Sequence, residues 1–317
     1  MHARVRPSAV VLYGALLAHT LVSAANYLFA KRALMEIPAL PLGLLRFVGA
    51  SLLLIVLVRR ALPPGKRLPP REVRKKILFL SVVGVPVNQG FFLYGLQLST
   101  AAHAALLYTL TPLFVLLLAQ ALIGESPGWR AAVGTALALG GTLYVLLQGG
   151  VGGWGEPLIG DLLLLVAVVA WSIYTAEGRE LVGKLGALPT IAWTIIGGTV
   201  LYLPLGLGSL LVPSYRADIA HASAEAWFGV VYLIVMTSVV AYLLWSWALG
   251  HLAAARVAVF TNLQPLVTAL MAQVFLGERV TLGFYLAAAV VIAGVLLAQW
   301  RATDAAEEAL LESPGRP

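Results

Sequence analysis

The chain has 317 residues, of which 60% are hydrophobic and 11% charged, with a mean hydropathy of +0.91 and a net charge of +7. Soluble domains average about 25% charged residues, so this composition excludes a soluble globular protein and predicts an integral membrane protein that is mostly spans. The absence of cysteine excludes disulfides, thiolate metal sites and thiol nucleophiles.

Ten apolar segments follow one another, near 10–30, 42–58, 77–98, 101–123, 131–147, 158–176, 191–212, 227–249, 253–276 and 282–300. Each is a continuous apolar run rather than an alternation of polar and apolar residues, which predicts spanning helices and not barrel strands. The expected fold class is an all-α membrane protein with ten transmembrane helices.

The first segment follows MHARVRPS and reads as an uncleaved helix, since no small-residue cleavage site precedes a polar start. It carries His19, either a proton or substrate group or a neutral histidine bonded to a neighbouring helix, and Asn26, on the face of Ser23. Arg46 lies near the start of the second segment. It fits either a snorkelling cation near the interface or a group that attracts a substrate carboxylate. The basic stretch 59–76 suits an anionic membrane surface; short, proline-broken and without interleaved aromatics, it does not suit nucleic acid. In the third segment Asn88 and Gln89 adjoin Gly90 beside Pro86, a place for substrate contact, whereas Tyr94 reads as core packing. The fourth carries Tyr108, Thr109 and Thr111 before Pro112; the ninth carries Thr261, Asn262 and Gln264 before Pro265. A proline there frees a backbone carbonyl about one turn earlier and lets the helix bend, which serves either as a hinge with ligand acceptors or as a packing kink. Trp171 and Tyr174 in the sixth segment, with Tyr242 and Trp245 in the eighth, can form an aromatic wall or pack helices. The fifth and tenth segments are rich in small residues and either pack the halves together or form a homodimer contact.

Residues 110–125, LTPLFVLLLAQALIGE, are nearly repeated by 263–278, LQPLVTALMAQVFLGE. The offset of 153 pairs Pro112 with Pro265, Gln120 with Gln273, Gly124 with Gly277 and Glu125 with Glu278, and 12 of the 32 positions from Tyr94/Trp247 onward are identical. Leucine and alanine bias does not explain Pro, Gln and Gly-Glu in register. The chain therefore divides into a first five-helix repeat over 8–149, a second over 157–300 and a polar tail over 301–317. Five is odd, so the second repeat enters the membrane from the opposite side and the halves are inverted copies. With the N-terminus in the cytoplasm, 16 of the 21 Lys and Arg residues fall on the cytoplasmic side and four on the other, the last being Arg46; both termini are then cytoplasmic.

These residues resemble the EamA-type permeases of the drug/metabolite transporter superfamily. The likeness lies in the polar patch at Asn26 in SAANYLFAKRAL, Arg46 in LLRFVGA, Pro112 with Gly124-Glu125, WSIYTAEGREL around Trp171 and Tyr174, and Pro265 with Gly277-Glu278. It departs at Ser23, where the family often has tryptophan, and in lacking a second arginine matching Arg46. The resemblance implies an inner-membrane carrier that exports amino acids or other small metabolites; relatives move nucleotide sugars or phosphorylated sugars. A non-transporting structural component of a membrane complex is the reading from another class.

The expected substrate-binding set is His19, Asn26, Asn88, Gln89, Tyr108, Trp171, Tyr174, Thr261 and Asn262. Pro112 and Pro265 are the expected hinges, and Gly124, Glu125, Gly277 and Glu278 the helix-end motifs. No metalloprotease helix, nucleophile elbow or phosphate loop occurs, so no catalytic residue, metal or cofactor is expected. The expected partners are a small-molecule substrate and the lipid bilayer.

Overall fold

The computed structural model describes residues 7–66, 68–123, 129–147, 156–252, 257 and 260–299. Among them every regular element is helical: α1 (Ala9–Leu34), α2 (Ala39–Ala61), α3 (Arg71–Leu98), α4 in two parts (Ala101–Tyr108 and Thr111–Ile123), α5 (Trp129–Leu147), α6 (Glu156–Leu185), α7 (Ala187–Ser209), α8 (Pro213–His221), α9 (Ala224–Leu249), α10 (Gln264–Phe275) and α11 (Leu282–Gln299). Seven of these, α1–α4, α6, α7 and α9, are long and apolar enough to cross a membrane. The other three expected spans appear as the shorter apolar helices α5, α10 and α11, whose flanks at 148–155, 253–256 and 300–317 lie outside the described residues.

Local chemistry sets the ends and breaks of these helices. Ser8 caps α1 by accepting from the Val11 amide at 3.3 Å, and Lys31 and Arg32 occupy its last turn, where cations suit the helix dipole. Inside α3 the turns widen to a π-helix over Val83–Gln89, around Pro86, whose ring cannot donate and crowds the preceding turn. A second π-helical stretch, Leu233–Ala241, interrupts α9 without a proline; there the Ser238 hydroxyl donates to the Leu233 carbonyl five residues back at 2.9 Å. α4 breaks at Thr109–Leu110, so that Pro112 sits in the first turn of the second part, where a missing N–H costs nothing. Likewise Pro265 starts α10 after a single 3₁₀ turn, Phe260–Leu263.

Small residues let helix axes approach. A Cβ added to Gly134 on α5 would lie 2.4 Å from both the Gly294 carbonyl oxygen and the Ala298 amide on α11, and one on Gly294 would lie 2.6 Å from Gly134's carbonyl. Gly95 on α3 and Gly160 on α6 meet in the same reciprocal way at 2.7 Å. Around the outside Leu52, Val56, Leu143, Val200, Leu205, Val231 and Leu270 are exposed, an apolar surface whose natural neighbour is lipid. Tyr94, expected in the packing, joins that surface at 49% exposure, because its position on α3 turns it away from α6 and α7. α8 buries no residue and lies on the surface.

Candidate functional site

A cavity of about 60 Å³ lies midway along the helices, lined from α1 by His19, Ser23, Asn26 and Tyr27, from α2 by Arg46 and from α3 by Gln89 and Phe92; Tyr108 (α4), Trp171 (α6), Thr237, Ala241 and Tyr242 (α9) and Gln264 (α10) complete it. The α1 residues stand at i, i+4, i+7 and i+8, one face of a helix. Of the expected binding set, His19, Asn26, Gln89, Tyr108 and Trp171 converge here. Asn88, Tyr174 and Asn262 are buried but do not line it. The side chain of Thr261, and Gly124 with Glu125, lie outside the described residues.

The polar contacts fix several orientations. His19 Nδ1 lies 3.0 Å from the Ala241 carbonyl, which can only accept, so Nδ1 carries a proton, and Nε2 is hydrogen-bonded with Ser23 Oγ at 3.3 Å. Both ring nitrogens thus have partners, and the ring packs on Trp245 with centroids 4.8 Å apart. Asn88, with 0% exposure, donates through Nδ2 to Tyr108 Oη at 2.9 Å and to the Ala167 carbonyl at 2.7 Å. Its Oδ1 consequently faces Gln89, which donates from Nε2 at 2.5 Å. Asn88 is thus a positioning residue behind the wall, and it turns the Gln89 oxygen outward without a partner. Tyr174 stacks on Trp171 at 5.5 Å with its hydroxyl bonded to Thr194 at 3.0 Å, so it backs the aromatic wall, whose face is formed by Trp171 and Tyr242 with centroids 5.3 Å apart.

Arg46 departs furthest from a surface reading. It is 1% exposed, and its Nε donates to Ser238 Oγ, midway along α9, at 2.9 Å. α2 begins at Ala39, so Arg46 lies seven residues along the helix, on the order of 10 Å from its end. The side chain turns into the bundle and does not snorkel. Four lining residues, Asn26 (Oδ1), Arg46 (Nη1), Gln89 (Oε1) and Thr237 (Oγ1), each keep a buried polar atom with no hydrogen-bond partner among the described residues. Among the described lining residues none is acidic. Gln264 was marked in the sequence by its place before Pro265 but was not in the expected binding set; Tyr27 and Thr237 were not singled out, though Tyr27 shares the face of His19 and Ser23, whereas nothing local marks Thr237.

One end of the bundle is closed above this cavity. The rings of Tyr27, Phe92 and Tyr108 meet edge to face at 5.7–5.9 Å, and Tyr27 Oη donates to Gln264 Oε1 at 3.2 Å. One turn beyond, Lys31 Nζ donates to the carbonyls of Leu96, Gln97 and Ser99 at 2.9, 3.2 and 2.5 Å. Glu278 accepts from the Ala101 and Ala102 amides at 2.8 and 3.2 Å, capping α4. The turn that brings it there uses Gly277 at φ +66°. Asp161 receives Ser99 Oγ and pairs with His103 Nδ1 at 2.9 Å, a buried contact between residues 58 apart that no sequence spacing signals.

Comparison with known proteins bears on this arrangement. The model of the EamA-like transporter family matches the chain twice, over residues 11–147 and 158–300. An uncharacterized transporter of Archaeoglobus fulgidus is 29% identical over 278 residues, covering 87% of this chain and 93% of the relative. A protein of Streptantibioticus cattleyicolor named "Probable terminal-alkyne amino-acid exporter" is 28% identical over 275 residues, covering 87% and 88%. A solved crystal structure with 21% identity superposes with a TM-score of 0.64, covering 96% of this chain and all of the other, which supports the fold alone. The chain belongs to the EamA-like transporter family, as a multi-pass membrane permease and not an enzyme.

Proposed function

We propose that this permease is an alternating-access carrier that exports small polar metabolites, amino acids foremost. Its architecture, on this reading, is ten spans in two inverted five-helix halves, 8–149 and 157–300, with the tail 301–317 and the N-terminus in the cytoplasm of an inner-membrane cell envelope. The observation that carries the reading is the cavity itself. Helices from both halves contribute to it, and four of its residues hold buried polar atoms with no partner among the described residues. Such groups cost about 1–3 kcal/mol each when nothing binds them, so their convergence at one place favours a polar ligand.

The repeat is supported by the family match in two copies and by local distortions in related positions. α3 and α9 each carry a π-helical stretch, and Pro112 and Pro265 each follow a break or a 3₁₀ turn. An odd number of spans per half inverts the second copy, and exchanging the conformations of inverted halves moves the opening from one face to the other. At about 60 Å³ the cavity has room for about two waters, well below the roughly 300–1,000 Å³ of ligand pockets, so a cargo requires the helices to part. Export and an amino-acid cargo draw on the relative's name.

Counterflow in proteoliposomes preloaded with the proteinogenic amino acids tests the function. Saturable exchange of one or a few of them is expected. Failure with every amino acid, alongside exchange of sugar phosphates or nucleotide-linked sugars, would replace the cargo class, and no exchange of any of these would favour a non-transporting role.

A further inference from the structure

Resting on the carrier reading, we propose that Arg46 anchors a single carboxylate of the cargo, so that the permease selects solutes bearing one carboxylate and a hydrogen-bond donor group set apart from it. Arg46 is a fixed positive charge at 1% exposure whose hydrogen-bond acceptor, Ser238, is neutral, and its Nη1 finds no partner among the described residues. A buried cation without a counter-charge is costly, and the lining supplies no aspartate or glutamate to offset it. The described carboxylates near the bundle are engaged elsewhere: Asp161 with His103 and Ser99, Glu278 with the start of α4, and Glu177 with Lys76.

Charge counting selects the ligand. One guanidinium balances one carboxylate, with which it also forms the favoured paired N–H···O contacts. A phosphate monoester carries about −1.5 to −2 at neutral pH and would leave about 0.5–1 negative charge unmatched inside the bundle. An amine without a carboxylate would instead add a second positive charge beside Arg46. The other polar pole of the cavity is an acceptor. The Ala167 carbonyl fixes Asn88, Asn88 fixes Gln89, and Gln89 Oε1 is left as a free acceptor facing the same space, with Asn26 Oδ1 also unpaired. Those oxygens suit amide or hydroxyl donors, and an ammonium on the same solute would return the cavity to the net positive charge that Arg46 alone gives it, a charge shared with these oxygens and the faces of Trp171 and Tyr242.

The test uses purified full-length protein in proteoliposomes with three matched probe sets: the proteinogenic amino acids, their primary amides, and O-phosphoserine with glucose 6-phosphate. Wild type is expected to exchange at least one free acid and not its amide. Arg46→Gln is expected to lower that exchange about tenfold or more, and Arg46→Lys, which keeps the charge but not the fork, to recover part of it. In detergent, the transported acid, and not its amide, is expected to raise the melting temperature of wild type, a readout independent of whether the variants fold. Exchange of amides as well as acids, undiminished exchange by Arg46→Gln, or preference for the phosphorylated probes would overturn the assignment of Arg46 while leaving a carrier. Absence of exchange and of thermal stabilisation with all three sets would overturn this inference, and the same absence with nucleotide-linked sugars as well would remove the carrier reading.

Discussion

Glu278 holds the closed end of the bundle, and its replacement by Gln provides a measurable opening. The carboxylate satisfies two of the unpaired N–H groups at the start of α4, at 2.8 and 3.2 Å, while Thr100 Oγ1 takes the His103 amide at 3.1 Å. Glutamine keeps one acceptor oxygen and loses the charge. Hydrogen bonds to charged groups contribute about 1.5–3 kcal/mol against about 0.5–1.5 for neutral ones. Losing one bond and the charge on the other, discounted because Glu278 is only partly buried, gives about 2 kcal/mol, or about a 30-fold shift toward states open at that end. The chain has no cysteine, so Ser23→Cys, at the cavity wall, reports opening by its maleimide labelling rate without background. In detergent the double variant S23C/E278Q should label about 30-fold faster than S23C. S23C/E225Q is the control: Glu225 pairs with Arg32 at the same end but on the surface, where such pairs contribute about 0–1 kcal/mol. Equal labelling rates in the two double variants would refute the role given to Glu278.

Three further outcomes follow from the packing. Gly134→Ala should lower the melting temperature, by an overpacking cost of about 1–3 kcal/mol, because its Cβ meets α11 backbone at 2.4 Å; Gly140→Ala, with open space at its Cβ, should be neutral or stabilise by up to about 1 kcal/mol, and equal shifts would contradict the α5–α11 contact. Asn88→Ala should cost about 2–4 kcal/mol in thermal or denaturant unfolding, through the lost bonds to Tyr108 and Ala167 and the stranded Gln89 amide, and an unchanged midpoint would refute the network. Outside the spans, the Ser223 amide, then its hydroxyl, then Arg32 hold the Glu36 carboxyl below its ordinary pKa. A folded pKa below the unfolded one means that the Glu36 contact contributes fully above the ordinary carboxylate range and is lost as pH falls through the lowered value. Hydrogen exchange at the Ser223 amide, taken as the ratio of Glu36→Gln to wild type, should fall toward one on acidification; a pH-independent ratio would contradict it.

Helical class and the polar stripe were legible because both follow from short-range pattern: continuous apolar runs, and His19, Ser23 and Asn26 on one face of α1. The breaks at the two prolines were legible for the same reason, since proline acts on its own helix. Depth and direction were harder. Arg46 reads as near an interface when α2 is started at residue 42, but the helix begins at Ala39 and its side chain reaches Ser238 on α9, a contact 192 residues away in the chain. Asn88 and Gln89 are adjacent and equally polar, yet only Gln89 lines the cavity, because neighbours on a helix point in different directions. Thr237 and the His103–Asp161 pair depend entirely on tertiary approach.

An alternating-access carrier needs inverted halves that share one cavity, and topology mapping on this cysteine-free chain probes the inversion. Ser126→Cys adjoins Gly124-Glu125 and Arg279→Cys adjoins Gly277-Glu278. In intact cells a membrane-impermeant maleimide should label the cysteine at 279 and spare the one at 126 until the cells are permeabilised. Labelling of both from the same side would contradict the inverted architecture and the alternating-access carrier built on it.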